Sequence, residues 1–310
     1  MRRIFFLLVL FLSVGCVQKQ TQHAYDLSNM YDYQLTRSGA PISLSTFVDE
    51  IATADVVLVG EWHSHSGVHH FQADLLQALN AENIAFVLAM EQFSRDKQSI
   101  IDDYLKGNIA EQALIKQGDA WSNYPSDYRP LIEYAKNNAV PVIAANAPND
   151  IVRCINKEGL GYLNKLLEKE RSFVAQEIET EDSPYKKKFI ATMHHGTEAQ
   201  INTLFAAQIT RDETMGESIV RILNKYPNHK VILTAGKFHT EGGLGVGASV
   251  HKLAPERKIV VVDPVSIIAT DSVDKYQLNV LPNPPLYVPG EKYDPSFHFL
   301  GKKNEQLNCD

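Results

Sequence analysis

Histidine and carboxylate side chains follow apolar runs at two places in this sequence, with the same spacing. The run VVLVG is followed by Glu61 and His63, and three more histidines come within the next seven residues. The run VILTAG leads to His239 in the same way, so each segment reads G-x-x-H. A third apolar run, IAFVLAM, ends directly on Glu91. A carboxylate after a fully apolar strand costs free energy unless it is paired, so Glu91 is either functional or part of a structural ion pair.

Imidazole and carboxylate groups that meet in a partly dry cleft support two kinds of chemistry. They bind a divalent metal such as zinc or manganese and leave one coordination position for water. Without a metal, the carboxylate orients a histidine that acts as a general base. Glu61, His63, Glu91 and His239 are therefore candidates for catalysis in a peptidase or esterase, and His63, Glu91 and His239 for its metal site. The spacing of these residues does not decide between a metal site and a metal-free general base.

Buried parallel strands are the elements that must position these groups. Continuous apolar runs bounded by glycine are typical of strands covered on both faces. The runs predict core strands near residues 56–59, 84–90, 140–145, 231–235 and 258–262, with helices between them. The carboxyl ends of parallel strands share one edge, where open α/β sheets bind ligands. We therefore expect the candidate side chains, together with Asn146 and Asp263, to converge there.

The order of these patterns predicts an α/β fold, with a parallel β-sheet, flanking helices and a smaller helical domain. Residues 150–225 carry helical patterns without a strand signal, among them 173–178, 198–204 and 212–223. The predicted division is a signal peptide (1–16), a tether (17–40), a sheet domain (41–149 and 226–270), a helical insertion (150–225) and an irregular, proline-rich C-terminal tail (271–310).

The first residues predict the compartment. Two arginines precede an apolar stretch that is too short to span a bilayer, and small residues then lead to Cys16. This segment resembles a bacterial lipoprotein signal, with Cys16 as the lipidated new N-terminus. Val17 in place of aspartate implies the outer membrane, so we expect a lipid-anchored protein that faces the periplasm. Cleavage without lipidation, or an uncleaved anchor, is the alternative.

Composition argues against nucleic acid as a partner and leaves open whether two cysteines form a disulfide. An apolar content of 44% over 310 residues is enough for a full core. The formal charge of −7 gives no basic surface for nucleic acid, so that partner is not expected. Cys154 and Cys309 would meet the oxidising periplasm if the signal is cleaved. They either pair or stay free, and the sequence alone gives no geometry to decide.

A second chemistry is possible in the helical insertion. Tyrosinate is an accepted ligand of ferric haem. Tyr162 and Tyr185 are candidates for that ligand, and Lys188, His194 and His195 for binding the haem propionates. The alternative is structural, because histidines before Gly196 suit a helix C-terminus and any one of 13 tyrosines is more often a packing residue.

Several motifs together resemble a known family. They are Gly60-Glu61-x-His63, Met90-Glu91-x-Phe93, Trp121 with Tyr128-Arg129-Pro130-Leu131, Ala144-Ala145-Asn146, Ala207-Gln208 with Arg211-Asp212 and Met215, and Ala235-Gly236-x-x-His239 with Leu244-Gly245-Val246. Over residues 56–262 they resemble the ChaN family of haem-binding lipoproteins, which are linked to haem uptake in Gram-negative bacteria. That family is similar to the Tiki metalloproteases and erythromycin esterases, which share the paired G-x-x-H motifs and the strand-end glutamate.

The resemblance implies a parallel sheet with flanking helices and a smaller helical domain. It also implies a homodimer that holds two stacked haems, with each iron bound by a tyrosine of one subunit and the propionates held by a histidine and a lysine of the other. An outer-membrane haem receptor is the implied partner. Glu61, His63, Glu91 and His239 carry over as the site shared with the wider group, whereas the candidate haem ligands rest on their position in the helical insertion.

Overall fold

The computed structural model describes residues 27–193, 195–285, 287–288, 290–291 and 307–309. Their centre is an eight-stranded sheet with the order β2-β1-β8-β7-β3-β6-β4-β5. The strands are β1 (Tyr33–Arg37), β2 (Ala40–Pro41), β3 (Val56–Glu61), β4 (Phe86–Ser94), β5 (Val142–Asn146), β6 (Lys230–Gly236), β7 (Ile259–Val265) and β8 (Tyr276–Val280). The helices are α1 (Leu44–Glu50), α2 (Ser66–Ala81), α3 (Gln98–Leu105), α4 (Glu111–Gln117), α5 (Arg129–Asn137), α6 (Asn149–Glu158), α7 (Glu168–Arg171), α8 (Pro184–Thr192), α9 (Glu198–Lys225), α10 (Lys237–Thr240) and α11 (Val246–Leu253).

Strands β8 to β5 in this order run parallel, and β1 and β2 add an antiparallel edge. At the centre, Val59 of β3 lies opposite Thr234 of β6 and Val262 of β7. This register places the ends of β3 and β6 side by side. The predicted α/β class is confirmed, and every predicted core strand is present.

Two apolar cores cover the two faces of the sheet. Successive residues of β3 alternate between them: Val57 and Val59 pack with α1, α2 and α5, whereas Val56 and Leu58 pack with α9 and α11. Because both faces are covered, every position of β3 must be buried. That requirement explains the unbroken apolar runs in the sequence.

The structure corrects two of the predicted boundaries. β1 lies within the predicted tether, and β8 lies within the predicted irregular tail, where it pairs with both β1 and β7. Their sequences, YQLTR and YQLNV, mix polar and apolar residues although β8 is largely buried. The buried Gln277 amide of β8 makes two hydrogen bonds with the backbone of Ala269. Neither strand therefore carries the apolar run by which the core strands were recognised.

Residues 150–225 are mostly helical, but the last helix belongs to both parts of the fold. The two helices predicted at 198–204 and 212–223 are one continuous helix, α9, of 28 residues that begins with a capping box at Thr197. Its first half packs on α8 through Phe205 and Ile209, and its second half packs on the sheet through Met215 and Ile219.

One predicted helix is wrong, and one open question about the cysteines is answered. Residues 173–178 form no helix, because the Arg171 guanidinium donates to the carbonyls of residues 174–176 and holds a turn there.

Cys154 and Cys309 form a disulfide with a Cα–Cα distance of 5.6 Å, which fixes the C-terminal end to α6. Cys16 and the signal peptide lie outside the described residues. None of the helices described here is long and apolar enough to cross a membrane.

Candidate functional site

The carboxyl ends of three neighbouring strands meet at one cleft. β3 ends in Glu61 and leads to His63, β6 ends at Gly236, and α10, which follows β6 directly, carries His239. Glu61, His63, Gly236 and His239 line a cleft of about 530 Å³. Glu91 of β4 lies behind them and accepts a hydrogen bond from the backbone N–H of Gly236 at 2.6 Å. The structure thus brings together the four candidate residues at the strand ends, which are Glu61, His63, Glu91 and His239.

Glu61 and His63 form a fixed pair. Glu61 is buried, and its Oε1 lies 2.8 Å from His63 Nδ1. Gln72, Gln92 and Tyr128 donate three further hydrogen bonds to the same carboxylate. Burial by itself would raise the pKa of Glu61, but the His63 hydrogen bond and the nearby imidazoles outweigh it, so the pKa is lowered. Glu61 is therefore an ionised carboxylate that cannot rotate.

His239 lies between two buried carboxylates. Its Nδ1 is 2.8 Å from Asp212 Oδ1, and its Nε2 is 3.4 Å from Glu91 Oε1. Burial opposes the charge, yet these two carboxylates raise the pKa of His239 to about 10. The pKa of Glu91 is lowered, because the His239 and His63 charges and the Gly236 hydrogen bond outweigh its burial. At neutral pH the floor of the cleft therefore holds an imidazolium whose two ring nitrogens each lie beside a carboxylate.

Two further strand-end residues support this edge without lining the cleft. Asn146 Nδ2 donates to the backbone carbonyl of Glu91 at 3.0 Å. Asp263 is buried and accepts a hydrogen bond from the Thr240 hydroxyl, and burial raises the pKa of Asp263 to about 7. Both therefore help to position the residues next to the cleft.

The two predicted haem-ligand tyrosines lie outside the cleft lining. Tyr185 is buried, donates its hydroxyl proton to Asp212 Oδ2 at 2.8 Å, and accepts a hydrogen bond from Gln208. Burial and the Asp212 charge raise the pKa of Tyr185, which disfavours a phenolate. Tyr162 packs against the separate apolar cluster that contains Ile155 of α6. Their assignment as haem ligands stays a prediction.

The predicted propionate-binding residues lie in different surroundings. Lys188 Nζ lies 2.8 Å from Glu241 and 4.6 Å from the centre of the Phe238 ring, and both of these partners line the cleft. His195 is exposed to solvent. His194 lies outside the described residues. Lys188 is thus the member of this set that the structure brings to the cleft.

The walls of the cleft are largely apolar. Trp62, Phe189, Met193 and Phe238 form them, together with the polar side chains at the strand ends. Within the described part of the chain, no group of three or more histidine, cysteine, aspartate or glutamate side chains is arranged to hold a metal ion. The assignment of a metal to His63, Glu91 and His239 stays a prediction.

The position of residues at strand ends does not reveal several hydrogen-bond partners of Glu61 and His239. Asp212 comes from α9, Gln72 from α2 and Tyr128 from the turn before α5. Asp212 and Tyr128 belong to the motifs of the ChaN resemblance, so that comparison was the signal that could have found them. Gln72 has no signal of its own in the sequence, because only the packing of α2 on the sheet brings it to Glu61.

The family model described as haem-binding uptake, Tiki superfamily, ChaN matches residues 47–250. The chain belongs to the ChaN family. The solved structure of ChaN of Campylobacter jejuni, described as cofacial haem binding, has the same fold: the TM-score is 0.60 at 20% identity, with 80% of this chain and 97% of that chain covered.

Two more distant similarities accompany the family match. A mutant of the erythromycin esterase EreC gives a TM-score of 0.45 at 13% identity, covering 81% of this chain and 83% of that one. The Arabidopsis thaliana protein RETICULATA-RELATED 5, a chloroplastic protein, is 23% identical over 200 residues, which are 57% of this chain and 26% of that protein. This ChaN-family chain thus spans about a quarter of that curated relative.

Proposed function

We propose that this protein binds haem in the cleft at the carboxyl edge of the sheet. The observation that carries the proposal is the lining of the cleft, which combines Trp62, Phe189, Met193 and Phe238 with the imidazole of His63. A flat porphyrin buries its faces against apolar and aromatic side chains, and its iron takes a nitrogen, oxygen or sulfur ligand. Membership of a haem-binding family supports the same ligand.

The charges beside the cleft suit the haem propionates. Lys188 and Lys237 both form ion pairs with Glu241, at 2.8 and 3.1 Å. Two ammonium groups thus lie beside the cleft and share one carboxylate, with the Asp274 carboxylate close to all three groups. A propionate in reach of these lysines would gain charge-assisted hydrogen bonds.

We further propose that the protein takes part in haem uptake as a lipoprotein of the outer membrane that faces the periplasm. The N-terminal sequence up to Cys16 supports the anchor, and the uptake role of the family supports the pathway. An outer-membrane haem receptor is the partner that delivers haem in this proposal. A homodimer that forms when haem binds is part of the same proposal, as the ChaN resemblance implies.

A hemin titration of protein lacking residues 1–16 tests this function. We expect a saturable change in the Soret band and, by sedimentation, a shift from monomer to dimer. The double variant Lys188→Ala, Lys237→Ala should bind hemin about tenfold or more weakly, since each lost charge-assisted bond is worth about 1.5–3 kcal/mol. Folded protein that gives no saturable Soret change would overturn the proposal.

A hydrolase is the second candidate function, and the Glu61–His63 pair favours it. A carboxylate on Nδ1 is the arrangement that orients a histidine as a general base. In the predicted metal-dependent form, the purified protein would carry stoichiometric zinc or manganese and lose it in His63→Ala. A metal-free base would instead keep its ester or peptide hydrolysis in the presence of a chelator. Wild-type protein with neither bound metal nor hydrolysis would exclude this function.

A further inference from the structure

We propose that β7 binds an extended, acidic peptide segment of another protein as an additional strand, at a gap in the sheet beside residues Ile259–Val261. The gap opens into a second cavity, which shares no lining residue with the cleft at the carboxyl edge. Three observations carry this inference: the strand partner that these residues lack on one side, the cavity next to them, and a loosely held lysine at its end.

The gap arises from the register of the outer strands. Residues 259–262 of β7 pair with β3, whereas β8 pairs only with residues 262–265. Ile259, Val260 and Val261 therefore have β3 on one side and, within the described part of the chain, no strand on the other. All three are partly exposed, although every position of β3 is buried. These three residues form the open edge of β7.

The backbone of the open edge directs hydrogen-bonding groups into the gap. The carbonyl oxygen of Lys258 accepts from the Val56 N–H at 3.1 Å, and the Lys258 N–H donates to Asp55 Oδ2 at 2.8 Å. Lys258 therefore faces β3. Successive residues of a parallel strand direct these groups to alternate sides, so the N–H and C=O of Ile259 face away from β3, where β8 has not yet begun. Such an edge is a template for a further strand.

A cavity of about 450 Å³ lies beside the open edge. All three residues of the edge line it, together with Val273 of the loop before β8 and with Gly243. No heavy atom of the described residues lies within 4 Å of a Cβ placed on Gly243, so the wall leaves room there. Three residues of extended chain are about 10 Å long, which matches the length of the edge. Because the edge carries isoleucine and valine, β-branched side chains on the peptide pack best against it.

Lys275 gives the gap a preference for an acidic residue. Its side chain is 58% exposed, and its Nζ lies 3.9 Å from Glu50 Oε2. Glu50 is already paired with the Arg37 guanidinium. A carboxylate on the peptide would therefore give Lys275 a charge-assisted hydrogen bond in place of a long contact.

The other charged groups of the lining are engaged or lie on its outer wall. Arg257 forms an ion pair with Asp55 at 3.1 Å, and Asp274 accepts a backbone N–H of the turn after α10 at 3.0 Å. His251 is exposed on α11. Lys275 is thus the charge that selects the peptide, and its position directly before β8 places the acidic residue at that end of the gap.

Fluorescence anisotropy of a labelled pentapeptide of alternating threonine and valine that ends in glutamate tests the site. We expect saturable binding to protein lacking residues 1–16. The same peptide with every backbone amide N-methylated keeps its side chains and charge but has no donors for strand pairing, so it should not bind. Equal binding of the two peptides, or no saturable binding of the first peptide to folded protein, would overturn the proposal.

Two variants test whether the peptide lies at the open edge. Ile259→Pro removes the N–H that faces the gap, at the first residue of β7, a position where sheets tolerate proline. Affinity for the peptide should fall about three- to tenfold, the effect of one hydrogen bond. Lys275→Gln should weaken binding about two- to fivefold, as expected for an exposed ion pair, and should not affect a peptide that ends in glutamine.

Lys187→Gln is the matched control, because it removes an exposed lysine that does not line the cavity. It should bind the peptide as the wild type does. If Ile259→Pro does not fold, Lys275→Gln still decides the question through its different effects on the two peptides. Wild-type affinity for the glutamate peptide in Lys275→Gln, or in folded Ile259→Pro, would overturn the assignment of the site.

Discussion

The imidazole of His63 lies directly over Gly236, and only glycine leaves room for the ring at that position. A Cβ on Gly236 would lie 2.7 Å from His63 Nε2. The converse holds at the other motif, where a Cβ on Gly60 would lie 1.8 Å from Asp263 Oδ1 and 2.5 Å from the Thr240 hydroxyl oxygen. Each G-x-x-H glycine thus makes space for a polar side chain that follows or ends a neighbouring strand.

Replacing Gly236 with alanine should displace the His63 ring. The added methyl group overlaps the ring, and we expect a loss of about 1–3 kcal/mol in the free energy of unfolding. The ring nitrogen signals of His63 in ¹⁵N NMR should shift, and hemin affinity should fall. Gly161→Ala is the matched control, because no heavy atom lies within 4 Å of its Cβ position. Unchanged His63 signals in Gly236→Ala would contradict this account.

Removing the Tyr185 hydroxyl should destabilise the fold. Tyr185→Phe leaves the buried Asp212 Oδ2 without its donor, at a cost of about 1–3 kcal/mol. Urea unfolding measures the change. Tyr31→Phe, which alters a ring that is 66% exposed, should have little effect. Equal stability of the two variants would show that the hydroxyl bond contributes nothing.

Asp263 should make stability depend on pH in the weakly acidic range. Its pKa is raised from 3.8 to about 7 by burial, so between these values the folded state keeps a proton that the unfolded state has lost. Stability from this group is therefore present at low pH and is lost as the pH rises through about 7. Asp263→Asn cannot titrate, and its amide oxygen can still accept from Thr240.

Urea unfolding at pH 5 and pH 7 measures that effect. The wild type should lose about 2 kcal/mol more than Asp263→Asn over this interval, because one pKa unit corresponds to about 1.4 kcal/mol. Asp271→Asn, at an exposed position, should keep the wild-type pH dependence. If Asp263→Asn has the same slope as the wild type, Asp263 is ionised in the folded state throughout.

The Cys154–Cys309 disulfide should stabilise the protein through the long loop that it closes. The two cysteines are 155 residues apart in sequence, and loss of a native disulfide typically costs about 2–5 kcal/mol. Removal of residues 1–16 also removes Cys16, so that Cys154 and Cys309 are the two cysteines that remain of the three in the sequence. A reductant should therefore lower the Tm of this protein and leave that of Cys154→Ser, Cys309→Ser unchanged. A wild-type Tm that ignores the reductant would refute the stabilising role.

The sequence by itself determined the sheet and the edge at which the site lies. Strands covered on both faces need apolar residues at every position, so β3 and β6 were visible as unbroken runs. Polar residues directly after such runs must lie at the carboxyl edge, so the sequence alone predicts that Glu61, His63 and His239 lie together. The same rule could not reveal β1 and β8, because their sequences mix polar and apolar residues.

Only the tertiary structure decided which partner each of these groups has. Gln72 and Asp212 reach the site from helices far away in sequence, and the rotation of α2 and α9 on the sheet determines which of their side chains point there. The same packing ties Tyr185 to Asp212 and places the His63 ring against Gly236. Helical periodicity specifies which face of a helix is buried, whereas hydrogen-bond partners depend on how the packed elements are turned and spaced. The chemistry of the cleft is therefore a property of that packing.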